Sequence, residues 1–341
     1  MQNKKLGSQT FALHDPPTVA GYGSVGGRKE RDGPLGHYLD AVSEDDTFGE
    51  KTWEKAESAM QKQALHIALG RAGKKLSDLD YLLSGDLLNQ CIGSGFAARG
   101  FGVPFFGLYG ACSTMGESLA LASLLLDGGY GMWAAACTSS HFCSAERQYR
   151  TPLEYGNQRT PTAQWTATAS GAVVLTRCPA AGPRVTHVTA GKVVDKGITD
   201  ANNMGAAMAP AAYSTLTAHF QDTGRDPSFY DLIVTGDLGS LGYEIVCEFF
   251  QKDGVDLPNY NDCGLILFDR KNQDVHCGAS GCGCSAAVLT ASLIPGLLSG
   301  KWKNILFCPT GALLSPTSTQ QGESIPSVCH AIALTTNWEE T

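Results

Sequence analysis

Positive charge is scarce in this sequence. The 341 residues include 25 lysines and arginines against 33 aspartates and glutamates, which gives a net charge of −8, and charged residues make up only 17% of the chain. No segment gathers the basic residues into a stripe. Proteins that bind nucleic acids need such a stripe to neutralise the phosphates, so we expect no nucleic acid partner.

Long apolar segments are also missing. The apolar stretch at residues 285–300 is too short for a membrane span and contains Pro295. Residues 1–15 lack the apolar core of a signal peptide. We therefore expect synthesis in the cytoplasm without a leader, and any association with a membrane to be peripheral.

Cysteine, in contrast, is abundant, with 12 residues. The cysteines lie in apolar or glycine-rich stretches, such as Cys137 in WAAACTSS, which is typical of buried, reduced thiols. Cys277, Cys282 and Cys284 follow His276 closely, but their spacing matches no common zinc site. We therefore expect reduced thiols and no metal or other cofactor.

The order of the predicted elements indicates an α/β fold. The first 45 residues, rich in glycine and proline, predict a loop or an extended segment. Apolar residues at spacings of three and four predict a helix from residue 53 to Gly73, with Thr47 and Glu50 as a capping box. We predict further helices at 119–126, 211–220, 243–250 and after 285, and strands at 81–84, 132–138, 171–175, 184–194, 232–235, 305–308 and 328–334. The break at 178–183 (CPAAGP) separates two similar halves, 1–180 and 181–341.

Cys112 is the candidate functional residue. It stands in YGACSTMG (109–116), directly before the apolar run 118–126, which predicts a buried helix. The N–H groups and the partial positive charge of a helix start favour a thiolate. The small residue before Cys112 and the Ser-Thr after it are typical of a nucleophile that attacks acyl thioesters. The alternative is a small apolar residue in a core.

Several long motifs span nearly the whole chain. They are GPLGHYLD (33–40), GEKTWEKAE (49–57), LSGDLLNQ (83–90), YGACSTMGES (109–118), the polar segment 139–166, DKGITDANNMGAAMAPAA (195–212), SGCGCSA (280–286) and PTGALLSP (309–316). With these motifs the chain resembles the thiolase superfamily and, within it, the stage V sporulation protein AD (SpoVAD) family. The resemblance implies two βαβαβαββ halves in a layered α-β-α-β-α core, the thiolase-like fold, and a homodimer.

The resemblance also implies a function. It implies binding of dipicolinic acid (pyridine-2,6-dicarboxylate) with its calcium, for uptake into the developing spore and for release in germination. The partners that it implies are other SpoVA membrane proteins, at the inner membrane of the forespore.

Enzymes of this superfamily need partners for the cysteine. They use a His after a strand of the second half and a His or Asn in a later glycine-rich loop. Here the strand 232–235 runs into Gly236 and Asp237, and the Asn position, judged from the following Ser-Ala-Ala, falls on Gly283. An inward-pointing Asp would raise the pKa of the thiol. We therefore expect no catalysis, with Cys112 as a vestigial nucleophile. The alternatives are an acyl-transfer or acyl-binding enzyme related to β-ketoacyl-ACP synthase III that uses Cys112, and a pure scaffold.

Dipicolinate is a flat dianion, so its pocket should offer forked cationic donors, N–H groups at a helix start and aromatic walls. A neutral one-to-one calcium chelate would not be repelled by this acidic chain. For each arginine the alternative is a solvated or interface ion pair, and for His141 a loop residue tied to the backbone or to Glu146. The candidate ligand-binding residues are Cys112, Ser113, His141, Arg147, Arg159, Gln164, Trp165, Lys196, Asp237, Cys282 and Cys284, with Arg150 as a further donor.

Overall fold

The computed structural model describes residues 4–149 and 159–338. Within these residues the chain forms sixteen strands and eleven α-helices. The strands are β1 (Lys5–Leu6), β2 (Thr10–Ala12), β3 (Thr18–Gly26), β4 (Ala41–Val42), β5 (Tyr81–Gly85), β6 (Phe105–Gly107), β7 (Trp133–Ser140), β8 (Trp165–Thr166), β9 (Ala169–Thr176), β10 (Arg184–Thr189), β11 (Leu232–Gly236), β12 (Tyr260–Asp262), β13 (Ala279–Ser280), β14 (Asn304–Ala312), β15 (Ser327–Cys329) and β16 (Ala331–Thr335). The helices are α1 (Arg28–Arg31), α2 (Trp53–Arg71), α3 (Ile92–Ala98), α4 (Thr114–Asp127), α5 (Phe142–Tyr149), α6 (Met204–Thr223), α7 (Gly239–Lys252), α8 (Cys263–Leu267), α9 (Cys282–Val288), α10 (Ile294–Leu298) and α11 (Pro316–Gln320).

The main sheet repeats one pattern twice. Its strand order is β12-β11-β14-β16-β10-β3-β9-β7-β5-β6. Counted outward from the centre, β3-β9-β7-β5-β6 of the first half corresponds to β10-β16-β14-β11-β12 of the second. In both sets the first two pairings are antiparallel and the last two are parallel. The same order and the same sense of pairing indicate an internal duplication.

Helices separate and cover the two sets of strands. Helix α2 packs on β3 and β9, and α6 packs on β14 and β15, so these helices form the outer layers. Helices α4 and α9 lie between the two sets, where one apolar core joins both halves through side chains such as Leu119, Val173, Leu289 and Phe307. Burial of these apolar surfaces is the main force that holds the layers together. None of the helices in the described ranges combines the length and hydropathy needed to cross a bilayer.

Close backbone contacts bring α9 against the first half. A β-carbon added to Gly171 on β9 would lie 2.6 Å from the main-chain carbon of Ala286, nearer than real β-carbons come. Beyond α9, the residues Leu289–Leu293 form a π-helical turn that leads into α10, and Pro295 lies in the first turn of α10. Proline is tolerated there because a first-turn N–H has no partner within the helix.

Three sequence predictions need correction. The capping box of Thr47 and Glu50 is wrong, because α2 begins at Trp53 with the hydroxyl of Thr52 as its cap, 3.3 Å from the Lys55 nitrogen. The strand predicted to reach residue 194 ends at 189. The helix predicted from residue 211 already begins at Met204. The predicted end of α2 is confirmed, since Gly73 adopts a φ of +63° directly after it.

Candidate functional site

Cys112 lies in a tight turn ahead of helix α4. Residues Ala111–Ser113 form a 3₁₀ turn, and Ala111 adopts the left-handed region with a φ of +49°. Gly311 on β14 packs against this turn, because a β-carbon there would lie 2.9 Å from the Ser113 nitrogen and 3.2 Å from the Cys112 nitrogen. The thiol residue is 6% exposed. The helix start predicted from the sequence is therefore present, and it is enclosed by the second half.

A cavity of about 490 Å³ opens beside Cys112. Its walls come from both halves, so the cavity lies on the seam between them. The apolar walls are Leu87, Ala111, Ala145, Ala163, Ala201, Met204, Ala312, Leu314 and Pro316. The polar walls are Tyr109, Cys112, Glu146, Tyr149, Gln164, Thr166, Asn202, Ser280, Thr319 and Gln320. Within the described part of the chain, no lysine or arginine lines this cavity.

Two tyrosines form one wall. The hydroxyls of Tyr109 and Tyr149 lie 2.8 Å apart, and Tyr149 also donates to the main-chain oxygen of Leu87 at 2.5 Å. The Gln148 amide donates to the same oxygen at 3.2 Å. These bonds tie helix α5 to the residues that follow β5, and they turn aromatic faces and hydroxyl oxygens to the cavity.

Asp237 lies behind Cys112, where the enzymes would carry a histidine. It follows β11 in the left-handed region with a φ of +70°, and it is fully buried. Burial, and then the charge of Asp262, raise the pKa of Asp237 well above its ordinary value. Burial, and then the charge of Asp237, likewise raise the pKa of the Cys112 thiol. At neutral pH the sulfur of Cys112 is therefore a thiol, and the buried carboxyl beside it does not favour a thiolate.

Gly283 leaves no room for an asparagine. A β-carbon at this position would lie 2.6 Å from the hydroxyl oxygen and 2.7 Å from the main-chain nitrogen of Ser140, and nearer still to the main-chain oxygen of Ala169. Real β-carbons essentially never come within 3.0 Å of another heavy atom. The second partner is therefore absent, and the backbone of the first half fills its place.

The structure brings several of the predicted site residues together. Gln164 lines the cavity with Cys112, and its amide donates to the main-chain oxygen of Asp237 at 2.5 Å. Cys282 packs against Cys112, and its thiol donates to the main-chain oxygen of Ser139 at 2.9 Å. Cys284 is buried beside Asp237, whose charge raises the pKa of the Cys284 thiol after burial itself.

Two predicted donors lie away from the cavity. Arg147 pairs with Glu54 at the surface, with its guanidinium 5.5 Å from the ring centre of Trp53. Lys196 lines a separate groove, with Lys192 and Tyr213 among its walls. The alternative of a surface ion pair thus describes Arg147. Arg150 lies outside the described residues.

Trp165, the aromatic candidate, belongs to a ring stack outside the cavity. Trp165 stacks on Phe142 with ring centres 3.8 Å apart, and the ammonium of Lys29 lies 3.6 Å from the Trp165 ring centre. The guanidinium of Arg159 lies 4.4 Å from the same ring. Neither Trp165 nor Arg159 is a wall of the cavity.

Ser113 and His141 make local hydrogen bonds. The N–H and the hydroxyl of Ser113 both donate to the main-chain oxygen of Gly110, at 3.0 and 2.7 Å. The Nε2 atom of His141 lies 2.6 Å from the main-chain oxygen of Asp46, and its Nδ1 accepts from the Cys143 N–H at 3.1 Å. Burial lowers the pKa of His141, so the ring is neutral. His141 is therefore tied to the backbone, as the alternative interpretation held.

Sequence reasoning missed most of the cavity walls. Tyr109 lies within the Cys112 motif, so that motif was the available signal for it. Glu146, Tyr149, Asn202 and Gln320 come from segments that meet only in the folded chain. No group of three or more His, Cys, Asp or Glu side chains suited to a metal occurs in residues 4–149 and 159–338.

Comparison with known proteins identifies the family. A family model described as stage V sporulation protein AD (SpoVAD) matches residues 7–335. The chain belongs to this family. A curated relative, the stage V sporulation protein AD of Bacillus subtilis strain 168, is 44% identical over 330 residues, which cover 96% of this chain and 97% of the relative. The predicted family resemblance is confirmed.

Solved structures show the same fold at low identity. The 3-oxoacyl-[acyl-carrier-protein] synthase III of Aquifex aeolicus VF5 is 15% identical, with a TM-score of 0.59 over 94% of this chain and 99% of that one. Cerulenin-bound OleA of Xanthomonas campestris is 15% identical, with a TM-score of 0.58 over 94% of this chain and 96% of that one. The likeness shows the fold alone, and the predicted thiolase-like fold is confirmed.

Proposed function

We propose that this protein binds dipicolinate, as its calcium chelate, in the cavity beside Cys112, and that it does so without catalysis. The observation that carries the proposal is the cavity itself, a partly open space of about 490 Å³ between the two halves. It lies at the position that the catalytic residues occupy in the related synthase fold. Here Asp237 stands at the position of the histidine, and Gly283 leaves no room for an asparagine. Membership of the sporulation family supports dipicolinate as the occupant.

The chemistry of the walls supports the chelate over the free acid. Glu146 places a carboxyl group at the cavity, and Gln164, Asn202 and Gln320 add side-chain amides. Calcium prefers such carboxylate and carbonyl oxygens, and a dipicolinate that holds the ion leaves other coordination positions for them. The free dianion would instead need cations, and none lines the cavity within the described residues. The net charge of −8 also disfavours capture of a free dianion.

The tyrosine wall suits the pyridine ring. Tyr109 and Tyr149, joined through their hydroxyls, offer aromatic surface on one side of the cavity, and Leu87 and Met204 offer apolar surface. Flat aromatic ligands are held by such surfaces, while a few polar groups fix their orientation.

The absence of catalysis is part of the proposal. A thioester is attacked by a thiolate, and the raised pKa of Cys112 keeps the sulfur protonated at neutral pH. Asp237 does not take over the role of the histidine, because its negative charge raises the pKa of the thiol, whereas a protonated histidine would lower it. Both findings support a binding pocket derived from a catalytic one.

The biological setting follows from the family. We infer that the protein delivers the chelate to SpoVA membrane proteins during uptake into the developing spore, and acts again in germination. It would do so as a peripheral protein on the inner membrane of the forespore.

We also infer a homodimer built on strand β6. This strand ends the main sheet, and all three of its residues are exposed. Phe105 and Phe106 on β6, together with Phe96 and Ile92 on α3, are large apolar side chains on the surface. A free apolar edge strand is a template for pairing, and a second copy that adds its own β6 would continue the sheet and cover the patch.

Calorimetric titration tests the proposed function. The calcium chelate should bind the wild-type protein more tightly than calcium-free dipicolinate does. Cys112→Ala should weaken binding, whereas Cys178→Ala, a matched change outside the cavity, should leave it unaltered. Tighter binding of the free acid would refute the chelate. No heat and no change of melting temperature with either ligand would leave only a scaffold, and unchanged affinity of Cys112→Ala would move the site elsewhere.

A further inference from the structure

Two buried carboxyl groups lie next to each other near the cavity. Glu57 on α2 and Asp86 after β5 are both 0% exposed. A methyl group added at Gly93 would lie 3.2 Å from the carboxyl carbon of Asp86 and 3.5 Å from that of Glu57, so the two carboxyl carbons lie within about 7 Å of each other. Within the described residues their hydrogen-bond donors are hydroxyls and main-chain N–H groups. Two charges at this spacing without a cation are costly, so the pair holds a proton.

Glu57 holds one wall of the cavity. Its carboxyl oxygens accept hydrogen bonds from the hydroxyl of Ser139 at 3.0 Å and from that of Ser144 at 2.9 Å. Ser144 lies on helix α5, which presents Ala145 and Tyr149 to the cavity. The main-chain oxygen of Ser139 in turn accepts the thiol hydrogen of the cavity neighbour Cys282.

Asp86 holds the neighbouring wall. One of its oxygens accepts from the Leu88 N–H at 2.8 Å, and the other accepts from the N–H and the hydroxyl of Ser94 at 2.7 and 2.6 Å. These bonds hold segment 86–91 in place, and this segment carries Leu87, which lines the cavity. Its last two residues, 90 and 91, both adopt left-handed backbone, with φ of +57° and +52°. Such backbone persists only where other contacts hold it.

We propose that Glu57 and Asp86 are positioning residues that fix these two walls while the pair holds one proton, and that loss of this proton weakens binding in the cavity. The inference rests on the proposed function. Two carboxylates would repel each other across Gly93, and the repulsion would drive helix α5 and segment 86–91 apart. The bond between Tyr149 and the Leu87 oxygen, which joins the same walls at the cavity, would then be strained.

The pair is the group that responds to pH in this region. Burial, and then the charge of Asp86, raise the pKa of Glu57 to about 8. The titratable side chains whose charges reach the pair are Cys91, Tyr109 and Cys282. Burial raises the pKa of Cys91 to about 11, of Tyr109 to about 12 and of Cys282 well above its ordinary value. All three are therefore neutral when the pair loses its proton.

Helix α5 carries four further titratable groups, and burial raises the pKa of one of them, Tyr149. Arg147 pairs with Glu54 at the surface, and Glu146 faces the cavity. Burial raises the pKa of Cys143 to about 11. None of them donates to Glu57 or Asp86.

Binding measured against pH tests the positioning role. Titration of the full-length protein with calcium dipicolinate should show affinity about tenfold lower at about pH 9.5 than at about pH 6.5. Glu57→Gln and Asp86→Asn are neutral at every pH but keep only one of the two acceptor oxygens. The affinity of each should therefore be lower than that of the wild type at about pH 6.5, yet equal at the two pH values. Glu57→Ala, which loses both hydroxyl partners, should bind weakly at both. Equal wild-type affinity at the two pH values, or a wild-type slope in Glu57→Gln, would overturn the proposal.

Infrared spectroscopy separates this inference from the proposed function. The wild-type protein without ligand, at about pH 6.5 in D₂O, should show a protonated-carboxyl C=O band that disappears by about pH 9.5. Subtracting the Glu57→Gln spectrum isolates this band from other buried carboxyls, such as Glu30 and Asp237. If no variant binds dipicolinate, the proposed function fails and the role in binding falls with it. If the band is missing from the wild-type difference spectrum, the proton on the pair is itself refuted.

Discussion

The side-chain amide of Gln164 donates a hydrogen bond to the main-chain oxygen of Asp237 across 2.5 Å. This bond crosses from the first half of the chain to the second, at the wall of the cavity. Gln164→Ala would leave the buried oxygen of Asp237 without its donor, so we expect the free energy of unfolding to fall by about 1–3 kcal/mol. Denaturant unfolding measures the change. Gln251→Ala, at an exposed position on α7, is the control, and an equal loss in both variants would contradict the expectation.

The tight packing of Gly283 makes substitution there costly. Gly283→Ala forces a methyl group against the backbone of Ser140 and Ala169, and we expect a loss of stability of about 1–3 kcal/mol. Gly70→Ala is the matched control, because Gly70 lies on the exposed face of α2 with no atom within 4 Å of an added β-carbon. That variant should gain up to about 1 kcal/mol, since alanine favours the helix. Thermal melts that rank the two variants in the reverse order would show that the packing at Gly283 is loose.

The thiol of Cys112 should be unreactive at neutral pH. Burial and the charge of Asp237 raise its pKa, so little thiolate is present. After brief treatment with iodoacetamide, peptide mass spectrometry should show alkylation of the less buried Cys178 at least about tenfold ahead of Cys112. Incubation with a range of acyl-CoA thioesters should leave Cys112 unmodified. A covalent acyl adduct on Cys112 would restore the alternative of an acyl-transfer enzyme.

Stability should fall as the pH rises from 6.5 towards 8. Burial raises the pKa of Glu30 to about 7 and that of Glu57 to about 8, so the folded state holds these protons more tightly than the unfolded chain. This stabilisation is complete below the ordinary value of 4.5 and is lost as the pH passes the raised values. Buried histidines, such as His219 with a pKa lowered from 6.5 to about 3, act in the opposite direction, mostly below about pH 7, because the histidines of the unfolded chain are still partly protonated at pH 6.5. Above pH 6.5 the carboxyls therefore dominate.

Denaturant unfolding across this window checks the sign. The wild-type free energy of unfolding should fall by roughly 1 kcal/mol between about pH 6.5 and about pH 8. Glu57→Gln should remove most of the slope and Glu30→Gln a smaller part, whereas Glu248→Gln at an exposed site should keep it. A wild-type stability that rises across the window would contradict the protonated carboxyls.

The exposed edge at β6 should control the oligomeric state. Phe106→Lys puts a charge into the apolar patch that we assign to a second copy, so the variant should be monomeric where the wild type is a dimer. Light scattering after gel filtration gives the mass directly. Phe229→Lys replaces a phenylalanine of similar exposure near the other edge of the sheet, and it should remain dimeric. A monomeric wild type, or a dimeric Phe106→Lys, would refute this interface.

The sequence predicted the fold better than it predicted the cavity. Apolar periodicity located α2 and the core strands, because these elements bury one continuous face. The nine-residue strand β3 lies at the centre of the sheet, yet its glycines gave it the composition of a loop. Two of those glycines allow α2 to approach the strand, since a β-carbon at Gly21 or Gly23 would meet the helix backbone. A contact between distant segments is not visible in local composition.

The candidate site shows the same limit. Cys112 and Gln164 were expected at the cavity and line it, because their motifs lie on the turns that form it. Arg147 and Lys196 were predicted at the cavity because of their positive charge, but both lie at the surface. Asn202 and Gln320 come from the second half, Asn202 within the motif 195–212, and their neighbours do not distinguish either of them as a cavity residue. Side chains that meet only through the duplicated arrangement of the two halves could not be grouped from their order in the chain.

The closed space at Gly283 has a consequence for ancestry. A descendant of this chain that regained a histidine at position 237 would still lack the second partner, because an asparagine at 283 collides with Ser140 and Ala169. Return to acyl chemistry therefore demands a backbone shift in the first half together with two substitutions, and each change alone is of no use to the others. Under the proposed function, single substitutions in this pocket would change what it binds and would not restore acyl transfer.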